Sequence, residues 1–197
     1  MFLRTIDASE ATGRVAEILR GEVQARGFVM QATACWTARP DLLPAWEDFF
    51  GIVRKGFSLS DRDWRLITFV AAQEVPSTYC SFVYGRQLIE DLGSREAVMA
   101  LQTDLRGAGL DARELAMLSY ARKVARMASE VTAGDIDALR AAGFDDTQIC
   151  DIALCASLRC FMARFFDATG AGPEEVFADA DPRFRAALTV GRDPGSR

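Results

Sequence analysis

The sequence predicts an all-α fold: one domain over residues 1–197, built as a compact multi-helix bundle. Three observations predict it. Helix start signals recur with capping-box spacing, pairing Ser60 with Asp63, Asp111 with Glu114, Thr132 with Asp135 and Asp145 with Gln148. Glycines stand where those helices should stop, at Gly27, Gly93, Gly143 and Gly170. Alternating runs of β-branched residues, the mark of half-buried strands, are missing.

In chain order, these signals and the apolar periodicity place helices at 8–26, 29–38, 41–55, 61–74, 77–92, 94–105, 111–129, 133–142, 146–169 and 182–188. Two are unusual. Trp64 to Ala72 is apolar almost throughout and runs into Pro76, which cannot continue a helix but suits the start of a new one near Ser77. A sharp, buried corner follows. Ile149 to Phe166 is apolar nearly all round, broken by Asp151, Arg159 and Arg164. Such a helix belongs at the centre of a bundle or in a subunit interface.

Composition bounds the chemistry. A chain of 197 residues with 50 % apolar and 26 % charged residues is globular and long enough for its own core. It contains no histidine, so Ser-His-Asp triads, Cys-His pairs and imidazole metal sites are excluded. Proton transfer must run through Asp, Glu, Tyr, Cys, Lys or water. The net charge of −5, with the arginines spread along the chain, argues against a nucleic-acid groove. No apolar run reaches the roughly 18 residues of a membrane helix, and the first residues do not read as a signal peptide. An odd count of five cysteines fits reduced thiols and a cytoplasmic setting. No motif for a cofactor or a metal is present.

Ser77, Cys80 and Tyr84 are spaced i, i+3, i+7 and share one helix face. Amides at a helix start favour a thiolate, so Cys80 is the candidate reactive thiol, with Tyr84 one turn on as a hydrogen-bond donor. A cysteine in a helical protein also serves simply as a small buried hydrophobe. Cys150, Cys155 and Cys160 advance about 140° per step and share no face, which speaks for packing rather than a cluster. Arg164 has Asp167 at i+3 for a salt bridge. Arg159 has no acid at i±3 or i±4, so its partner must lie elsewhere, at a pocket or an interface. Trp36, Trp46, Phe49 and Phe50 suit a core, an interface or a pocket wall. Glu74 is the only glutamate near Cys80 and suits a capping role or that of a base.

The run D-R-D-W-R-L-I-T-F-V-A-A-Q-E-V-P-S-T-Y-C-S-F-V-Y (61–84) resembles the core motif of the alkylhydroperoxidase-D-like / carboxymuconolactone decarboxylase-like superfamily. Segments A-R-P-D-L-L-P-A-W (38–46), L-D-A-R-E-L-A-M-L-S-Y-A-R-K-V (110–124), V-T-A-G-D-I-D-A-L-R-A-A-G-F-D-D-T-Q-I (131–149) and A-R-F-F-D-A-T-G (163–170) are similar to its other conserved stretches, in the same order. The resemblance covers about residues 10–178. It implies the helical fold and a homo-oligomer, a dimer, trimer or hexamer, acting on a small-molecule substrate without nucleic acid or membrane. In peroxidase members, a glutamate and a histidine deprotonate the second cysteine of a C-x-x-C, and the two thiols reduce peroxide. Here the glutamate position is Arg65, the first cysteine Ser77, the second Cys80 and the histidine Tyr84; Ala163 replaces an asparagine before Arg164.

A lone thiol cannot close that disulfide, and its sulfenic acid would need a thiol from elsewhere. Arg65 cannot be a base. It suits an anion anchor or a partner for a Cys80 thiolate, while Tyr84 suits a proton donor. The set Arg65, Ser77, Cys80 and Tyr84 therefore reads as a rebuilt pocket for non-redox lyase, isomerase or hydrolase chemistry on a small carbonyl or lactone. The alternatives are a single-thiol peroxidase using Cys80, and a catalytically silent binding protein.

Overall fold

The computed structural model describes residues 1–195. Among them are ten α-helices and no strand: α1 (Gly13–Arg26), α2 (Gln31–Ala34), α3 (Leu43–Gly56), α4 (Asp61–Glu74), α5 (Thr78–Leu92), α6 (Arg95–Thr103), α7 (Ala112–Met127), α8 (Ala133–Ala141), α9 (Asp146–Thr169) and α10 (Pro182–Leu188). No helix of the described residues is long and apolar enough to cross a membrane.

The start signals act as written. Ser60 and Asp63, Asp111 and Glu114, and Asp145 and Gln148 form reciprocal capping boxes. At α8 the Asp135 carboxylate accepts from both the amide and the hydroxyl of Thr132, at 2.7 and 2.8 Å. Each such cap stabilises its helix by about 1 kcal/mol. The four stop glycines all take left-handed φ values. At Gly170 (φ 79°) space matters as well, because a Cβ would strike the Phe2 ring and backbone. Phe2 donates its amide to the Thr169 carbonyl at 2.9 Å, so the first residues close over the end of α9.

Two expected helices are shorter. The first begins at Gly13 rather than residue 8, since the Asp7 side chain captures both the amide and the hydroxyl of Ser9 and holds a turn. The expected 29–38 helix is α2 followed by a 3-10 turn, Cys35–Ala38. There the Thr37 hydroxyl donates to the Ala34 carbonyl and the Cys35 thiol to that of Ala32.

Helix α4 is the axis of the bundle. Leu66, Ile67, Phe69, Val70 and Ala71 are all fully buried, which covers it on every side. It packs on α5, α7 and α9. One core fills the space between α4, α6, α7, α9 and α10. A second joins α1, the Cys35–Ala38 turn, α5 and the end of α9. Pro76 makes the expected corner between α4 and α5. Gly85 of α5 lets α10 approach, for a Cβ there would sit 2.6 Å from the Leu188 side chain. Helix α9 is buried along one stripe only, Ile152, Cys155, Ala156, Arg159, Met162, Ala163 and Phe166, rather than all round as its apolar sequence predicts. Its opposite face leaves Phe161 half-exposed near Trp46, and Phe49 and Ile52 of α3 are exposed too.

Candidate functional site

The two cores leave a cavity of about 410 Å³ between α1, α3, α4, α5 and α9. That lies within the roughly 300–1,000 Å³ of small-molecule sites. Its walls are aromatic, with Trp46 and Phe50 from α3, Trp64 from α4, Tyr79 and Tyr84 from α5 and Phe166 from α9. Its charged lining comes from four helices: Glu22 and Arg26 of α1, Glu47 and Arg54 of α3, Arg65 of α4 and Arg159 of α9.

Arg159 is the unusual residue. It occupies a position on the buried stripe of α9 where helical spacing calls for an apolar side chain, and it is 3 % exposed. Its Nη2 donates to the Tyr84 hydroxyl at 3.0 Å and its Nη1 to the Cys80 sulfur at 3.5 Å. The guanidinium carbon lies 4.8 Å from the centre of the Tyr84 ring. Its Nε has no partner, and no carboxylate pairs with it among the described residues. Burial works against its charge, yet the oxygen of Tyr84 and the sulfur of Cys80 hold its pKa above the ordinary arginine value. A guanidinium is always protonated and carries five N–H donors. Two are used, so a buried cation faces the cavity with donors to spare. Because arginine can only donate, the Tyr84 oxygen accepts that bond, and its own O–H remains to donate into the cavity.

Of the predicted set, Cys80 and Tyr84 meet at Arg159, one turn apart on α5. Tyr84 lines the cavity. Cys80 is fully buried and lies one layer deeper, behind Tyr84 and Arg159. Ser77 stands at the N-cap position of α5 without a side-chain cap bond, is fully buried, and does not line the cavity. Arg65 borders the cavity, but its guanidinium is bound by Asp91 through bonds of 2.6 and 2.9 Å, so Cys80 takes its arginine from α9 instead. Glu74 is ion-paired with Arg122 at 3.0 Å, away from Cys80.

The remaining cysteines are free thiols. Burial pushes Cys35 up to about 11 and Cys155 up to about 12. Cys150 is exposed and Cys160 half-buried, as the fan of spacings implies. The expected Arg164–Asp167 pair does not form. Arg164 points to solvent, and the charge facing Asp167 is Arg192, whose guanidinium also donates to the Asp167 carbonyl at 2.6 Å. Trp36 and Trp46 stack 5.0 Å apart, so Trp36 is core while Trp46 and Phe50 wall the cavity and Phe49 is exposed. No group of three or more Cys, Asp or Glu side chains among the described residues is arranged to hold a metal.

Glu47 was not foreseen. Burial, with the charges of Glu22 and Asp48, raises its pKa above the usual glutamate value. Its only sequence signal is an acid directly beside Trp46 in the first turns of a helix, with Asp48 next to it.

No protein-family model and no curated protein matches the sequence. Solved structures do match. A peroxidase-related protein from Ralstonia eutropha JMP134 with an alkylhydroperoxidase AhpD core superposes with a TM-score of 0.79 at 20 % identity, over 97 % of both chains. A peroxidase-related protein from Silicibacter sp. TM1040 gives 0.76 at 24 %, over 88 % of this chain and 93 % of the other. The debrominase Bmp8 gives 0.73 at 18 %, over 93 % and 94 %. It is also known as a cysteine-to-alanine variant in complex with 2,3,4-tribromopyrrole.

Proposed function

We propose that this chain, which has the alkylhydroperoxidase-D-like fold, is an enzyme for a small organic carbonyl or carboxylate, with the Arg159–Tyr84 pair holding the oxygen on which negative charge sits or develops. One observation carries the reading: a buried, carboxylate-free guanidinium that faces an aromatic-walled cavity with unused donors. A buried charge without a counter-ion is costly. An anionic ligand supplies the missing partner, and a charge-assisted, two-pronged contact at a buried guanidinium is strong. In the reaction class this favours, isomerase or lyase chemistry at a carbonyl, Arg159 and Tyr84 stabilise the developing oxyanion. Cys80 then acts as a positioning residue, its sulfur accepting from Nη1 and fixing the fork.

Trp46 and Trp64 line the cavity and report occupancy by fluorescence. Titration with phenylpyruvate, benzoate and 2,4-pentanedione is expected to show saturable quenching by at least one probe. Arg159→Met should weaken the two carboxylates by roughly tenfold or more, about 1.4 kcal/mol per decade. Unchanged affinity in that variant refutes the reading.

A second reading is single-thiol chemistry at Cys80. It is favoured by the cationic Nη1 at 3.5 Å from the sulfur, and by the cysteine-to-alanine variant through which the similar debrominase was captured with its bromopyrrole. The two readings part at Cys80→Ser. A positioning role survives that change, because a hydroxyl still accepts from Arg159; nucleophilic or peroxidatic turnover does not.

A further inference from the structure

We infer that Glu47 is the proton-transferring base of this cavity, and that the substrate is a small carbonyl compound with an acidic C–H beside its carbonyl carbon. The inference rests on the reading of Arg159 and Tyr84 as the oxyanion holders.

Two carboxylates line the cavity, and they differ in kind. Glu22 is fully engaged: one oxygen accepts from the Met30 amide at 2.9 Å and the other from the Thr33 hydroxyl at 2.8 Å. Those bonds tie α1 to α2, and hydrogen bonds accepted by both oxygens stabilise the ionised form and weaken it as a base. Glu47 makes no hydrogen bond and no ion pair with any described residue. It stands half-buried on α3 beside Trp46, where the cavity opens towards the groove between α1 and α3. The charged groups facing it are Glu22 and Arg26 of α1 and Asp48 of its own helix, with Arg14 and Glu17 further along the groove. Arg54 and Arg65 line the same cavity but are held by Asp61 and Asp91, at 2.8 Å and at 2.6 and 2.9 Å. A carboxylate left without donors and partly stripped of water binds a proton more tightly than one in solution.

The lining thus carries spare donors on α9 and α5 and a carboxylate without a hydrogen-bond donor on α3, with aromatic rings in the same wall. That pairing suits a substrate presenting a carbonyl or carboxylate oxygen to Arg159 and Tyr84 and a C–H to Glu47. In the step, the C–H bond breaks and its proton forms an O–H bond with the Glu47 carboxylate. The electron pair of that C–H bond becomes the new C–C π bond, and the carbonyl π pair moves onto oxygen. The resulting enolate oxygen is held by the N–H groups of Arg159 and the O–H of Tyr84. Return of the proton to the same carbon exchanges its hydrogen; return to a conjugated carbon isomerises the substrate. Nothing is oxidised or reduced, and no co-reactant is required.

Phenylpyruvate carries all the parts: a carboxylate, a carbonyl, acidic C3 hydrogens and a ring for the aromatic wall. In D₂O, followed by proton NMR, the wild-type chain is expected to exchange those hydrogens roughly 100-fold faster than buffer, the scale of a positioned general base. Glu47→Gln should remove that acceleration with an unchanged Kd from tryptophan quenching, and Glu47→Asp should restore part of it. Bound phenylpyruvate without accelerated exchange, or wild-type exchange in Glu47→Gln, overturns the role of Glu47 and leaves the oxyanion reading intact as long as Arg159→Met still weakens binding roughly tenfold or more. No saturable binding of phenylpyruvate, benzoate or 2,4-pentanedione overturns both.

Discussion

Arg65 and Asp91 meet in a parallel two-bond ion pair, Nε to Oδ2 at 2.6 Å and Nη2 to Oδ1 at 2.9 Å. The arginine comes from the second turn of α4 and the acid from the last turn of α5, so the pair ties the far end of one helix to the near end of the other. Arg62 adds to the tie by donating to the Asp91 carbonyl. Arg65 is therefore a fastener on the cavity rim. Arg65→Met is expected to cost about 1 kcal/mol, a two-pronged bond discounted for partial exposure. Denaturant unfolding should show that loss, with carboxylate affinity little changed. A large loss of affinity with unchanged stability would return the anchor role to Arg65.

Gly85 carries a packing constraint. An added methyl would press on Leu188 at 2.6 Å and on Phe69 at 3.1 Å. Both are fully buried, so neither has room to withdraw. Gly85→Ala is expected to destabilise the fold by about 1–3 kcal/mol, read as a lower thermal midpoint. Paired with Leu188→Ala the loss should be less than additive, because the second change vacates the space the first one needs.

Glu47 gives a pH signature independent of any substrate. Its folded pKa lies above the usual value of 4.5, through burial and the neighbouring Glu22 and Asp48 charges. The unfolded carboxyl therefore ionises first as pH rises, and from about 4.5 upward the charge destabilises the folded chain. Glu47→Gln should melt higher than wild type at pH 7, with the gain vanishing below about pH 4. A variant that melts lower at pH 7 would show that the carboxylate has a stabilising partner.

Asp135 should behave in the opposite way. Its carboxyl, held by the Lys123 ammonium and by the Thr132 side chain and amide, titrates at about 2 instead of 3.8. Its contribution is complete above about pH 4 and disappears as pH falls towards 2. Asp135→Asn should thus lower the melting temperature at pH 6, and the two proteins should converge in acid.

Thiol labelling orders the cysteines. In the native chain at pH 8 an aromatic disulfide reagent is expected to modify Cys150 rapidly and Cys160 slowly. Cys35, Cys80 and Cys155 are buried and should react only on unfolding. Rapid native modification of Cys80, shown by its loss in Cys80→Ser, would favour the single-thiol reading.

What could be read from the sequence was local. Capping pairs three residues apart and glycines after apolar turns marked six of the ten helices, α1, α4, α5, α7, α8 and α9, since those signals act within one turn. Arg159 was legible as a problem: no acid at helical spacing meant a partner on another element. Its solution was not legible, because Cys80 and Tyr84 lie 79 and 75 residues away on α5. Arg65 failed for the same reason, its acid being 26 residues on. Arg164 shows the converse. Helical spacing put Asp167 within reach, but the rotation of α9 turns Arg164 outward, and Arg192 from the end of the chain faces Asp167 instead. Glu47 left no pattern, because an unpaired acid becomes conspicuous only once its surroundings are assembled.

The closures at the two ends of the chain bear on how the cavity comes into being. Phe2 rests on Gly170 and Thr169 at the end of α9. Gly191 donates to the Thr78 hydroxyl across a separation of 113 residues, and it lies so close to the Pro76 carbonyl that no side chain would fit. The start of the helix that bears Cys80 and Tyr84 is thus secured by a residue 113 positions further along the chain. Helices α4 to α9 can condense through near neighbours, but locking the α4–α5 corner waits on a long loop closure, the slow kind of event in folding. Until then the buried guanidinium of Arg159 has no settled surroundings. The amides around the cavity should be the last to acquire protection against hydrogen exchange during refolding.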